Sequence, residues 1–209
     1  MISPTSAQVS EALKPYGVEP SIDLIAGIQG YVELLLKWNK SISLTTVTDV
    51  DEILRFHFGE SLYALPMLPV EKSRLADVGS GAGFPGIPLA MARPSLHVTL
   101  LEPNAKKFAF LNEVIRRLNL DNGAAIRSRM ADVRHSDQRF GVVTARALGQ
   151  FGELLGWAHH RLTPTGKVVL WIGAQDSKKI SADRRFKWGI PDRIPGTERR
   201  VILAGIPET

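Results

Sequence analysis

Leu75-Ala76-Asp77-Val78-Gly79-Ser80-Gly81-Ala82-Gly83-Phe84-Pro85-Gly86 is the stretch on which the reading of this chain turns. Its apolar start, Leu75–Val78, reads as a buried strand, and the glycines at 79, 81 and 83 mark the turn that ends it. Glycine permits positive φ there and lets a ligand lie against bare backbone, where a Cβ would collide. Pro85 and Pro88 suit the first turn of a following helix, where the missing amide hydrogen is not needed. The helix N-terminus is therefore expected to face the ligand.

A dinucleotide-binding turn has the pattern G-x-G-x-x-G, but Phe84 occupies the place of its last glycine. The run is G-x-G-x-G, preceded by an acid. Asp77 suits the cationic amino-acid end of a sulfonium cofactor, or a bracing role in the loop, better than it suits a diphosphate. Glu102 closes the next strand, Val98–Glu102, and lies 19 residues after Gly83. That is close to the spacing of about 20 residues at which an acid meets ribose hydroxyls. Together the loop and the two acids point to S-adenosylmethionine, with Asp77, Gly79, Gly81, Gly83 and Glu102 as candidate cofactor-binding residues.

Upstream of the loop the pattern is helical. Leu24, Ile25, Ile28, Tyr31, Val32, Leu35 and Leu36 recur at three and four residues up to Trp38, predicting one helix from Ser21. A second helix is predicted from Glu52 to Leu65, closed by Pro66. Residues 1–70 thus read as a helical extension, joined through Met67–Ser73 to an α/β domain over 71–209. Downstream, strands at Ala124–Arg127, Val142–Thr144, Val168–Ile172 and Val201–Ile206 alternate with helices at Phe108–Leu118 and Phe151–Leu162. This order predicts a mostly parallel sheet covered by helices on both faces. Asp176–Gly196 is polar and broken by Pro191 and Pro195, and reads as a long loop or mobile flap.

The chain has 209 residues and no cysteine, which excludes disulfides and thiolate metal sites. The five histidines show no HExxH spacing, so no metal is expected. Without a run of eighteen apolar residues or a signal-like N-terminus, the expectation is a soluble, cytoplasmic protein with no membrane partner. Residues 1–72 carry 5 basic and 9 acidic side chains, whereas residues 73–209 carry 21 and 12. A basic domain attached to a mildly acidic one suggests an anionic partner, of which nucleic acid is the commonest large one. Lys178, Lys179, Arg184, Arg185 and Lys187, interleaved with Phe186 and Trp188, form a candidate RNA-holding and base-stacking cluster. Charge alone leaves ordinary solvated surface equally open.

Several further stretches accompany the glycine block Asp77–Ala90. They are Lys37-Trp38-Asn39-Lys40 with Leu44-Thr45, His57 with Glu60-Ser61-Leu62, Leu100-Leu101-Glu102, the Lys106–Leu118 helix and Thr144-Ala145-Arg146-Ala147. Together they closely resemble the bacterial ribosomal RNA small-subunit methyltransferase G family, also called glucose-inhibited division protein B. The resemblance implies a Rossmann-like class I methyltransferase fold with a seven-stranded sheet. It also implies methyl transfer from S-adenosylmethionine to the seven-position nitrogen of a guanine in small-subunit ribosomal RNA, the substrate being the RNA or the small ribosomal subunit.

Carried over by motif, Gly79, Phe84 and Arg146 become cofactor contacts, Met130-Ala131 lies beside the adenine, and Arg146 is also the candidate catalytic residue. Arg146 also ends a strand on the carboxyl edge of the sheet, where ligands collect. A monomer is expected.

The chain departs from the family pattern at Ser43, Glu60 and Ala131, where asparagine, aspartate and an acid are usual, Asp132 being next to the last. Ile172 stands where the family commonly presents a lysine, and Lys167 and Lys178 are the candidates to supply that charge. His57, among Leu54, Phe56 and Phe58, reads as packed rather than catalytic. Two other functions remain open at this point: a small-molecule methyltransferase, and a non-catalytic module that binds adenosylmethionine or RNA.

Overall fold

The computed structural model describes residues 3–133, 139–147 and 149–208. The chain begins with α1 (Ser6–Leu13), a two-turn helix outside the elements expected from the sequence, which buries Val9, Ala12 and Leu13. Its signal is Thr5-x-x-Gln8. The Thr5 hydroxyl accepts from the Gln8 amide at 3.2 Å, and the Gln8 side chain accepts from the Thr5 amide at 2.9 Å, a reciprocal cap. Then comes α2 (Ile22–Asn39), capped by Ser21 and burying Leu24, Ile28, Tyr31, Val32, Leu34 and Leu35. At its end the Asn39 carboxamide accepts from the amides of Leu44 and Thr45 and donates to the Thr45 carbonyl. This folds the segment after Lys40 back beside the next helix.

The helix expected over Glu52–Leu65 is built in three parts. α3 (Val50–Glu52) and α4 (Glu60–Leu62) flank a π-helical segment, Ile53–Gly59. Wide π turns concentrate at functional sites, and this one carries His57 and leads into Glu60. The junction after it is pinned: Arg93 Nη1 donates to the carbonyls of Leu68 and Pro69, both at 2.9 Å.

The sheet comprises β1 (Ser73–Val78), β2 (Leu96–Leu101), β3 (Gly123–Ile126), β4 (Phe140–Arg146), β5 (Leu162–Gly173), β6 (Phe186–Trp188), β7 (Asp192–Arg193) and β8 (Arg200–Pro207). Between them run α5 (Gly86–Ala92), α6 (Ala105–Arg117), α7 (Phe151–Arg161) and α8 (Ala174–Ile180). The order is β3-β2-β1-β4-β5-β8-β6, with β7 also on β8. β1 to β5 pair in parallel, and β8 runs antiparallel to β5.

β6 and β7 pair with the same edge of β8, Trp188 opposite Gly205 and Asp192 opposite Ile202. They act as one edge strand interrupted by a bulge, so the eight segments fill the seven positions expected. Asp176–Gly196 is therefore not the loop or flap its composition predicts. Pro191, which donates no hydrogen bond, falls in the bulge of an edge strand, where it is tolerated.

Strand alternation divides the core. Leu75, Leu96, Val98, Leu100, Val142 and Val169 face α2, the π-helical segment, α5 and α6. Ala76, Val78, Val143, Ala145, Val168 and Leu170 face the other way, towards α7 and α8. The chain leaves β1 towards β2 and β3 on one side and returns to β4 and β5 on the other. The carboxyl ends of β1 and β4 thus form the switch point at which α/β sheets bind ligands.

Candidate functional site

The glycine turn leaves β1 at this switch point with positive φ at Gly79 (69°), Gly81 (58°) and Gly83 (90°), as the sequence predicts. Its amides are largely engaged inside the protein. Those of Gly79 and Ser80 donate to the Leu101 carbonyl at 2.9 and 3.1 Å, and that of Gly83 donates to the Ser80 carbonyl at 2.7 Å. A loop that has committed these donors internally is no phosphate cradle, in keeping with the missing pyrophosphate pattern. Gly83 serves packing rather than ligand approach, because a Cβ there would strike the Tyr31 hydroxyl and come within 2.6 Å of Ile87 Cδ1.

Asp77 is completely buried. Its Oδ1 accepts from the Thr144 hydroxyl at 2.7 Å and its Oδ2 from the Gly86 amide at 3.3 Å. The acid thus braces the turn from below and caps α5. The first amide of α5 points at Asp77, not outward to a ligand as the position of Pro85 suggests. Burial pushes the Asp77 carboxyl up to about 6, against the pull of these hydrogen bonds and of the Arg146 charge.

Glu102 plays the matching part from β2. Its Oε2 accepts from the Gly81 amide at 2.9 Å and its Oε1 from the Asn104 amide at 2.8 Å. Each oxygen keeps a second lone pair for a hydroxyl.

Phe84 turns its ring into the core instead of the cleft. It stacks on Tyr31, with centroids 5.2 Å apart and planes 8° from parallel, and on His57 at 4.6 Å. The Tyr31 hydroxyl donates to the Ala82 carbonyl. The helical extension therefore holds the tip of the glycine turn between two rings. His57 Nε2 pairs with the Thr45 hydroxyl at 2.8 Å. Burial first, then the Arg146 charge, lower its pKa to about 4, so the ring is neutral near pH 7.

Two cavities open at the carboxyl edge. The first, about 470 Å³, lies between the glycine turn and the start of α7, lined by Val78, Gly79, Leu101, Met130, Gln150 and Glu153 among others. That volume falls in the range of about 300–1,000 Å³ typical of small-molecule sites. Met130 lines it, while Ala131 is exposed at its side and Glu102 stands behind the loop.

The second cavity, about 390 Å³, is bounded by Glu60, Arg146, Gly149, Phe151, Trp171 and Arg200 among others. Gln150 of the first lies between Gly149 and Phe151 of the second, so the two adjoin. Larger cavities beside α2 (about 580 Å³) and at the amino edge of the sheet (about 800 Å³) contain none of the expected site residues.

Arg146 Nη2 donates to Glu60 Oε2 at 2.9 Å, and Arg200 Nη2 stands 2.7 Å from Oε1. Burial pushes Glu60 up, and the two guanidiniums pull it back. Its backbone carbonyl accepts from Trp171 Nε1 at 2.7 Å. Ala147, directly after Arg146, is a non-glycine residue at φ 56°. Such strain is held where a site needs it, at a cost of about 1–3 kcal/mol. Sequence reasoning noted Glu60 only as a departure and missed Arg200 entirely, because nothing local distinguishes Arg200 from its neighbour Arg199.

The aromatic members of the predicted RNA cluster do not serve as stacking platforms. Phe186 is 3% exposed in the core, and Trp188 packs on Gly205 with its Nε1 donating to the Asp183 carbonyl. Their alternation with basic residues reflects the inward and outward faces of β6. Arg185 is taken by Asp183, while Lys178, Lys179, Arg184 and Lys187 remain exposed.

The family model for rRNA small subunit methyltransferase G matches residues 24–188. Among curated relatives, the ribosomal RNA small subunit methyltransferase G of Neisseria meningitidis serogroup B is 42% identical over 150 residues, covering 72% of this chain and 71% of that protein. That of Escherichia fergusonii is 38% identical over 175 residues, covering 84% and 83%.

Solved structures extend the likeness at the level of fold. A ribosomal protein L11 methylase from Lactobacillus delbrueckii subsp. bulgaricus aligns with TM-score 0.62 and 20% identity over 74% of this chain and 80% of that one. The glycopeptide N-methyltransferase MtfA, complexed with (S)-adenosyl-L-methionine, aligns with TM-score 0.60 and 13% identity over 73% and 88%. By the extent of the family match and the identity to these relatives, this chain belongs to the rRNA small subunit methyltransferase G family.

Proposed function

We infer that this protein transfers a methyl group from S-adenosylmethionine to small-subunit ribosomal RNA, at the seven-position nitrogen of a guanine. The observation that carries the reading is the pair of adjoining cavities at the switch point of a class I methyltransferase sheet, in a chain of this family. The first cavity fits the cofactor: a glycine turn with its amides turned inward and Met130 line it, and Glu102 stands behind the turn with a spare lone pair on each oxygen. The cofactor, when bound, supplies an electrophilic methyl on a sulfonium. Gly79 and Met130 line the cavity directly, while Asp77, Gly81, Gly83, Phe84 and Glu102 hold the turn in shape.

The acceptor nitrogen carries its own lone pair, so no residue has to remove a proton. Methylation of that nitrogen would leave the base cationic, a charge the residues around the second cavity would have to accommodate. The protein contributes alignment of the two cavities and electrostatic balance, with Glu60 and Asp77 offsetting the positive charge that Arg146 brings. Arg146 lines the second cavity, and its position at the end of β4 supports a role in orienting the acceptor or the cofactor.

The helices of residues 1–70 share one apolar core with the sheet, and we read them as part of the same folding unit, reaching over the glycine turn. The exposed large apolar side chains, among the described residues, are only Ile22, Val70, Ile126, Ile190 and Ile206, which supports a monomer. No helix among the described residues is long and apolar enough to cross a membrane. A ribosomal substrate supports a cytoplasmic location.

The test is incubation with methyl-labelled adenosylmethionine and small subunits from cells lacking this methylation, followed by mapping of the label. Label on one guanine at nitrogen seven is expected; label elsewhere or none overturns the assignment.

A further inference from the structure

The Arg146 cavity holds more guanidinium donors than its own acceptors use. Arg146 and Arg200 are the cationic residues, among those described, that line it. Both lean on Glu60, which is 1% exposed, one guanidinium to each carboxylate oxygen. Asp176 also lines the cavity but forms no ion pair with either arginine. Arg146 Nη1 and Arg200 Nε are both buried without a hydrogen-bond partner, against a single such acceptor, Glu60 Oε1, which Arg200 Nη2 meets as an ion pair only. Buried charged donors are almost always satisfied, so two orphans beside one opening imply an acceptor that arrives from outside.

Arg200 is aimed by the sheet. As the first residue of β8 it pairs across from Gly173, one step from Ile172 opposite Val201. Its guanidinium carbon sits 5.0 Å over the Phe56 ring, a contact that holds the plane while leaving the side chain 41% exposed. Neither lysine considered for this charge serves it. Lys167 Nζ donates to the Met67 carbonyl at 2.9 Å, and Lys178, on α8, does not line the cavity. Ile172 contributes an apolar wall.

We propose that Arg200 binds the methyl acceptor, offering with Arg146 a pair of guanidinium N–H donors to one oxygen of the RNA nucleotide. The proposal rests on the functional reading above and assigns the substrate side of its second cavity. The oxygen is either the carbonyl of the base or a phosphate oxygen, since a guanidinium serves both. Glu60 keeps the two guanidiniums from repelling each other and fixes their spacing.

The experiment compares wild type with Arg200→Met and Arg200→Lys in the full chain. It measures melting temperature, the Kd of S-adenosylhomocysteine and of 5′-methylthioadenosine by calorimetry, and KM and kcat for undermethylated small subunits. The expected result for Arg200→Met is a KM for subunits raised about tenfold or more, with both nucleoside affinities within twofold of wild type. Arg200→Lys, which keeps the charge and the Glu60 pair, recovers part of the loss even if Arg200→Met melts lower.

A phosphate contact shows as a salt slope of subunit binding reduced by about 1 in Arg200→Met, and a base-carbonyl contact as an unchanged slope. Loss of adenosylhomocysteine affinity with methylthioadenosine unaffected assigns Arg200 to the cofactor's carboxylate and overturns the proposal. So does a subunit KM that does not move. Wild-type protein that transfers no methyl group to subunits overturns the functional reading itself, before any variant is made.

Discussion

Replacing Asp77 by asparagine removes a titration that the structure places in an unusual window. The carboxyl is raised from its ordinary value of 3.8 to about 6, chiefly by burial. A native-state pKa above the unfolded one means that the folded protein binds the proton more tightly. The stability it confers is full below pH 3.8 and is lost as pH rises through about 6. At about 1.4 kcal/mol per pKa unit, holding the ionised carboxylate costs the fold about 3 kcal/mol above pH 7.

His57 works in the opposite sense. Its pKa is lowered from 6.5 to about 4, so folding resists its protonation and stability is lost as pH falls through that same window. The two slopes oppose each other, and their contributions to wild-type stability largely cancel between pH 4 and 6.5. Asp77→Asn, which keeps the shape and leaves an amide oxygen for the Gly86 amide, exposes the His57 slope. Its stability relative to wild type should rise by about 3 kcal/mol from pH 4 to pH 8. For a chain of this size that is a relative gain of about 6–12 °C in Tm. His57→Gln should show the mirror-image profile. Urea unfolding at closely spaced pH values measures both, and a wild-type to Asp77→Asn difference that stays flat across this range refutes the assignment of a raised Asp77.

Tyr31→Phe keeps the stack on Phe84 but strips the Ala82 carbonyl of its donor, at a cost of about 1–3 kcal/mol. Calorimetry should show adenosylhomocysteine binding weakened about three- to tenfold as the turn becomes less ordered, with the subunit KM unchanged; intact affinity in a protein of lowered Tm would mean that Tyr31 only stabilises the fold. Gly83→Ala combines φ 90° with a collision against Tyr31 and Ile87, and should cost about 3 kcal/mol or more. Gly81→Ala, at φ 58° with its nearest neighbour 3.8 Å away, should cost about 1–2 kcal/mol; equal losses in urea titrations would contradict the packing role given to Gly83.

Much of the site could be read locally. The apolar run to Val78, the positive-φ glycines and the acid at the end of β2 are encoded within a few residues of one another, and the turn they predict is the turn observed. Where the reading went astray, a local pattern had two physical sources. Alternating basic and aromatic residues over 184–188 look like a nucleic-acid groove, yet an edge strand with one face in the core produces the same alternation. Pro191 and Pro195 look like loop punctuation, yet a bulged edge strand accommodates proline. α1 escaped notice because its apolar face, Val9, Ala12 and Leu13, spans only two turns.

Sequence by itself determined the backbone around the site: the strands of the parallel sheet, the helices between them, and a first turn that suits a nucleoside cofactor. Only the tertiary structure decided what the side chains do. Tyr31 meets Ala82 across 51 residues, Arg146 meets Glu60 across 86, and Trp171 meets the Glu60 carbonyl across 111. Backbone preferences are set by sterics within a few residues, so they can be read along the chain. Contacts of this separation depend on strand register and helix docking, which assemble from the whole core at once. For that reason Asp77 faces inward as a brace, and Glu60 and Arg200, inconspicuous in the sequence, come to share a cavity with Arg146.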